Sequence, residues 1–270
     1  ILPGDMMEGE AVAQVVESRT DALQPGDYVA GMLGWREEVV VAADTVRKID
    51  THGLSPSLAL GVLGMPGLTA YAGATRLADL KEGMTAVVSS AAGPVGSTVA
   101  QLAKAKGCRV IGIAGSDEKR AWLMEDAQLD DVINYKTEDI REGLDRTCPN
   151  GIDYYFDNVG GDMLQAVMER LALNAQVVLC GLISQYNQTD MPPGPNPAFI
   201  IKARATVRGL VVYDHQDHAQ QAAADIAQRI AAGHFAVKED ITEGIENAPK
   251  AFVRLMKGET FGKTLVKIAE

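Results

Sequence analysis

From residue 85 onward the chain alternates between short apolar, β-prone runs and stretches whose apolar residues recur every three or four positions. Residues 85–89, 109–114, 131–134, 154–157, 176–179 and 206–212 read as strands. Residues 94–106, 117–126, 140–147, 163–171 and 218–232 read as helices, and in the first of these Val95, Val99 and Leu102 share one face. Strands alternating with helices predict an α/β class built on a doubly wound parallel sheet. Residues 1–50 lack that alternation. They offer short β segments at 10–16, 28–30 and 38–41 around a turn at Gln24-Pro25-Gly26-Asp27, which predicts a small β-rich domain. Residues 58–63 and 70–78 look helical, interrupted by Gly64-Met65-Pro66-Gly67. The tail holds a helix over 245–257, stopped by Gly258, and an alternating strand over 263–268 that is expected to rejoin the N-terminal β unit. The predicted division is therefore 1–65 with 237–270 as one discontinuous domain, and 66–236 as the other.

Within the alternating half, the first strand runs into a turn of small residues, Ser89-Ser90-Ala91-Ala92-Gly93-Pro94-Val95-Gly96. A dinucleotide pyrophosphate must come close to a helix start to accept backbone N–H bonds and meet the positive end of the dipole. Glycines keep that approach open, and Pro94 loses nothing at a first-turn position. The spacing is Ala91-x-Gly93-x-x-Gly96, with alanine where the usual fingerprint has its first glycine. An NAD site usually carries an acid about 20 residues later, bonded to the ribose 2′-hydroxyl. Here the second strand ends Ile113-Ala114-Gly115-Ser116 with no acid at its tip, Asp117 and Glu118 open the next helix, and Lys119 follows. That arrangement suits a 2′-phosphate, hence NADP(H). Taken singly, Lys119 and Arg120 also fit a solvated helix face.

Composition narrows the classes. The 270 residues are 47% hydrophobic, enough for a large core, and the net charge of −11 opposes binding to nucleic acid or to an anionic membrane surface. No apolar run is long enough to span a bilayer. Cys108, Cys148 and Cys180 are scattered, which fits a reducing compartment, and neither they nor His52, His215, His218 and His234 have metal-ligand spacing. A polar, proline-rich loop over 184–197 lies beyond a strand end, where long loops often carry function. Ile1-Leu2-Pro3-Gly4 contains no initiator and no leader pattern, so the chain reads as part of a longer protein.

Four segments in register resemble the zinc-independent medium-chain dehydrogenases/reductases, in the leukotriene-dehydrogenase/prostaglandin-reductase branch that also holds curcumin reductases and plant double-bond reductases. They are Leu63-Gly64-Met65-Pro66-Gly67-Leu68-Thr69-Ala70-Tyr71, the phosphate turn, Tyr155-Phe156-Asp157-Asn158-Val159-Gly160-Gly161, and Cys180-Gly181-Leu182-Ile183-Ser184-Gln185-Tyr186. The resemblance implies a Rossmann domain plus a discontinuous, N-terminally truncated GroES-like β domain, with the coenzyme between them. It implies NADPH-dependent, zinc-free reduction of the C=C bond of an α,β-unsaturated ketone or aldehyde. It also implies a cytoplasmic protein, a homodimer joined along the last sheet strand, and a small-molecule substrate.

Carried onto this sequence, the coenzyme residues are Thr69, Ala92, Gly93, Pro94, Val95, Gly96, Gly115, Ser116, Lys119, Tyr135, Asn158, Cys180, Gly181, Ile183, Ser184, Tyr186, Leu210, Val211, Val212 and Thr260. Lys119 and Tyr135 would hold the 2′-phosphate. Thr260 stands where relatives often have asparagine. His215 stands where relatives usually place a tyrosine, with Tyr213 two residues earlier, and either could donate the proton. On the same scaffold a quinone reductase, an enoyl-thioester reductase or an NADPH-binding fragment without turnover are the alternatives.

Overall fold

The computed structural model describes residues 2, 4–190 and 192–268. Ile1, Pro3, Met191, Ala269 and Glu270 lie outside the described residues, and with them parts of the chain-start and proline-rich-loop expectations.

Near the N-terminus, strands β1 (Ala11–Gln14), β2 (Tyr28–Gly31) and β3 (Arg47–Lys48) form an antiparallel sheet. A 3₁₀ turn, Pro56–Leu60, leads to helix α1 (Met65–Thr75). The main body then alternates β4 (Thr85–Val88), α2 (Pro94–Ala105), β5 (Arg109–Ala114), α3 (Asp117–Glu125), β6 (Asp131–Asn134), α4 (Ile140–Thr147), β7 (Ile152–Asp157), α5 (Gly161–Met168), β8 (Leu171–Leu179), α6 (Ala198–Ala203), β9 (Thr206–Gly209) and α7 (Ala219–Ala231). The chain closes with β10 (Glu239–Glu243), α8 (Ala248–Met256) and β11 (Lys263–Lys267).

Six parallel strands make the main sheet in the order β6-β5-β4-β7-β8-β9. The chain winds outward one way from β4 and the other way from β7, so strand order reverses between those two neighbours. The apolar runs are continuous because both faces are covered. Val88, Val99, Leu123, Tyr154 and Phe156 fill one side, and Val87, Ile111, Ile133, Leu144 and Tyr155 fill the other; all ten are fully buried.

Several expectations shift. Residues 38–41 form no strand, and Val40 is fully exposed. Gly64-Met65-Pro66-Gly67 is the start of α1 rather than an interruption. Pro66 occupies its first turn, and a Cβ at Gly67 would run into the Val62 carbonyl. The helix expected over 163–171 ends at Met168, and β8 begins at Leu171. The last sheet strand stops at Gly209, followed by a 3₁₀ stretch, Val212–His218. Strand β11 pairs in parallel with β10 and not with β1–β3. The β10–β11 pair meets the segment before α1 through side chains: Ser57 Oγ donates to Glu239 on β10 (2.9 Å), and Lys263 on β11 lies against Gly61. No helix among the described residues is long and apolar enough to cross a membrane.

Candidate active site

In an open parallel sheet, ligands bind beyond the C-terminal strand ends where strand order reverses. Here that place lies between the turn leaving β4 and the turn leaving β7. Helix α2 opens there on Gly93, with no side chain capping it. The N–H groups of Val95 and Gly96 belong to the first helical turn and have no carbonyl of their own helix to bond. Ser90 adopts a left-handed conformation (φ 50°), and its carbonyl accepts the Gly93 N–H at 3.0 Å. That carbonyl passes so close to the helix that a Cβ at Gly96 would collide with it. Ala91 replaces a glycine without penalty because Gly112 on β5 faces it: a Cβ at Gly112 would come within 3.0 Å of the Ala91 methyl. The bare helix start and its close-packed turn fit a pyrophosphate.

At the tip of β5, Ser116 caps α3 by accepting the Lys119 N–H at 3.2 Å. Asp117 is held toward the end of β6, accepting from Asn134 Nδ2 at 2.8 Å. Tyr135 continues from β6, its N–H on the Ala114 carbonyl (3.2 Å). Its phenol lies over Gly115, where a Cβ would come within 2.8 Å of the hydroxyl. The Lys119 ammonium touches the Gly258 carbonyl at 3.3 Å. Burial, and then the neighbouring Lys136, push it below the ordinary lysine range. Among the described residues neither lysine forms a carboxylate ion pair. Glu118 and Asp240 act on Lys119 only from a distance, so two cations and a phenol without a paired carboxylate fit a phosphate monoester.

Across the reversal, Asn158 N–H donates to Ser89 Oγ and its Nδ2 to the Ser89 carbonyl, both at 2.8 Å. The turn after β8 stacks on this one. Cys180 N–H and Gly181 N–H donate to the Asp157 carbonyl (2.8 and 3.1 Å), Ile183 N–H to that of Asn158 (3.3 Å), and Ser184 N–H to that of Val159 (3.2 Å). The Tyr186 hydroxyl lies beside Gly181. Burial and the nearby Asp157 push the Cys180 thiol up to about 11, so it stays neutral at physiological pH. The segment before β11 reaches over the phosphate turn: Gly262 N–H donates to the Ala92 carbonyl (3.2 Å), and the Phe261 ring meets Trp122 of α3 edge-on at 5.5 Å.

Against known families, residues 94–228 match the zinc-binding dehydrogenase family and residues 1–49 match the N-terminal domain of oxidoreductase. The chain is 41% identical over 274 residues to the NADPH-dependent curcumin reductase of Escherichia coli, covering 98% of this chain and 79% of the relative. It is 40% identical over 269 residues to a 2-alkenal reductase (NADP(+)-dependent) of Nicotiana tabacum, covering 99% and 78%. The crystal structure of CurA from Vibrio vulnificus in complex with NADPH superposes with a TM-score of 0.90 at 40% identity, covering 97% of this chain and 80% of that one. The chain belongs to the medium-chain dehydrogenases/reductases.

For a member of this family the remaining expected residues divide unevenly. Thr69 is buried inside α1, and its hydroxyl donates to the Met65 carbonyl of its own helix (2.7 Å). Leu210 is buried and extends the β8 pairing through an N–H bond to Leu179 (2.9 Å), while Val211 is exposed. Thr260 is buried, two residues before Gly262 in the same segment. Tyr213 is 72% exposed, and His215 is half-buried at a kink in the 3₁₀ stretch that packs against α1. Neither side chain has a hydrogen bond among the described residues. No group of three or more His, Cys, Asp or Glu side chains gathers among the described residues in a way that could hold a metal ion. Lys136, Ser89 and Asp157 are the site residues that sequence reasoning missed. The first follows Tyr135 directly; the other two become neighbours only when β4 and β7 pair.

Proposed function

We propose that this chain is an NADPH-dependent reductase of conjugated C=C bonds, acting on α,β-unsaturated ketones and aldehydes. The observation that carries the proposal is the uncapped α2 start with Lys119, Lys136 and Tyr135 at the next strand tips, neither lysine being ion-paired to a carboxylate among the described residues. In this reading the first-turn N–H groups of α2 at Val95 and Gly96 take the pyrophosphate, and Ala92, Gly93 and Pro94 shape its approach. Gly115, Ser116, Lys119 and Tyr135 take the 2′-phosphate. Asn158, the 180–186 turn, Leu210 to Val212, Thr69 and Thr260 enclose the nicotinamide half. Bound NADPH supplies a hydride to the β-carbon of the acceptor. The chain's part is to orient both reactants and to offer a donor to the carbonyl oxygen as it gains charge. Tyr213 and His215 are the two side chains proposed for that donation. The similarity to NADPH-dependent curcumin reductase and NADP(+)-dependent 2-alkenal reductase supports the substrate class. The same reading takes residues 1–65 with 237–270 as the GroES-like substrate domain, residues 66–236 as the Rossmann domain, and the protein as a cytoplasmic homodimer meeting along β9.

The test follows NADPH oxidation with four acceptors: an enone, a 2-alkenal, a quinone and an enoyl thioester. Saturable turnover of the first two, faster than the others, is expected. Preference for the quinone or the thioester overturns the substrate class. A protein that NADPH protects from thermal unfolding but that oxidises it with none of the four is a binding protein.

A further inference from the structure

One fully buried carboxylate has no role in the scheme above. Asp157, at the end of β7, is fully buried and has no cation beside it among the described residues. Donors saturate it instead. Its Oδ1 receives the Tyr155 hydroxyl (2.7 Å), the Ser89 hydroxyl (3.0 Å) and the Val159 N–H (3.0 Å), and Gly160 N–H reaches both oxygens (3.1 and 3.0 Å). Ser89, at the end of β4, is fully buried as well, and its Oγ accepts the Asn158 N–H (2.8 Å). The Ser89 carbonyl can only accept, so the Asn158 amide must turn its NH₂ toward it (2.8 Å), which aims the amide oxygen the other way.

The Ser89 bonds cross between β4 and β7, the seam of the sheet where strand order reverses, while Tyr155, Val159 and Gly160 hold Asp157 from its own side. On one side of the seam lies the pyrophosphate turn; on the other lies the turn proposed to meet the nicotinamide half. A coenzyme lying across the seam has a fixed length, so the spacing of the two turns sets where its reacting end falls. We propose that Ser89 and Asp157 are positioning residues: the Ser89–Asp157 brace fixes the two turns against each other and holds Asn158 with its amide oxygen toward the cleft, and so aligns the nicotinamide half for hydride transfer. A polar cluster buried in an apolar core is stabilising only when every member is satisfied, and this one is saturated where simple apolar contact would have sealed the sheet.

This inference rests on the coenzyme placement proposed above, and its test separates the two. Ser89→Ala removes the crossing hydroxyl. Tyr155→Phe removes a single donor from Asp157 and is the milder variant should the first fold poorly. Each variant is measured for kcat at saturating NADPH, for KM, and for binding of 2′-phospho-ADP-ribose, which lacks the nicotinamide. Misalignment of an ångström or less costs about tenfold to a hundredfold in rate. The expected result for Ser89→Ala is a fall in kcat of about tenfold or more, with affinity for 2′-phospho-ADP-ribose within about twofold of the parent. Tyr155→Phe should fall between the two. Unchanged kcat in both variants overturns the brace. So does a parallel loss of kcat and 2′-phospho-ADP-ribose affinity, which marks a purely structural role. Failure of the parent protein to bind 2′-phospho-ADP-ribose overturns the coenzyme placement itself.

Discussion

Lys119 lies where its charge is costly unless an anion shares it. Partial burial and the adjacent Lys136 hold its ammonium below the ordinary value of 10.5. A bound 2′-phosphate stabilises the charged form and raises it again, so binding and protonation are linked. The sign follows. As pH rises toward that lowered value, the free protein loses this proton first, and NADPH affinity should fall while NADH affinity holds. Charge-assisted bonds of this kind are worth about 1.5–3 kcal/mol. Lys119→Ala should therefore weaken NADPH by about one to two orders of magnitude, leave NADH nearly unchanged and flatten the alkaline limb. Titrations of both coenzymes across pH read this directly, and equal losses for the two would remove the lysine from the phosphate. The glycines of the phosphate turn were legible in the sequence because each follows from a local steric demand. The Ser89–Asp157 contact was not, because it joins residues 68 positions apart and each looks unremarked within its own strand.

Among the elements, α4, α5 and the short link from α5 to β8 are tied together by one ionic cluster. Arg141 grips Glu169 with two bonds (2.9 and 3.1 Å), and Gln165 and Arg170 add to it. The Arg141 contact, then Gln165, draws the Glu169 carboxyl down from 4.5 to about 2. A folded-state value below the unfolded one stabilises above the unfolded value and is lost as pH falls through the folded one. Solvent reaches this cluster, so Glu169→Gln should cost only about 1 kcal/mol at neutral pH. The gap should shrink as pH falls from 4.5 toward 2. Urea unfolding of both proteins at neutral pH and near pH 3 checks it; an undiminished gap at the lower pH would show that the carboxylate charge contributes nothing.

Element by element, the buried strands were easiest to place. Residues 109–114 and 131–134 form β5 and β6 as expected, because each is a short apolar run covered on both sides. Strand β10 escaped notice: Glu239-Asp240-Ile241-Thr242-Glu243 is charged and lies in a two-stranded sheet, so burial imposes no apolar pattern. Helix α6 begins directly after the proline-rich loop and at six residues is too short to show a helical apolar period. Residues 38–41 show the reverse error, since three apolar residues in a row stay in contact with solvent and never pair.

Taken whole, the molecule leaves one flank of its main sheet open at β9, with Ile201 of α6 (77% exposed) and Leu173 at the start of β8 (60% exposed) as uncovered apolar groups. An open edge flanked by apolar side chains tends to be covered by another chain. Sedimentation equilibrium should find the dimer proposed above, and Ile201→Asp should shift it toward monomer with little change in the monomer's own thermal midpoint. A parent protein that sediments as a monomer would end that proposal.

The contact between the Lys119 ammonium and the Gly258 carbonyl joins positions 139 residues apart. The cationic corner that would choose between phosphorylated and plain coenzyme is thus walled on one side by a stretch from near the far end of the chain. A chimera that transplants residues 66–236 onto a foreign companion domain would inherit the lysine but lose that wall. Redesign of coenzyme preference therefore has to treat the two stretches as a single heritable unit.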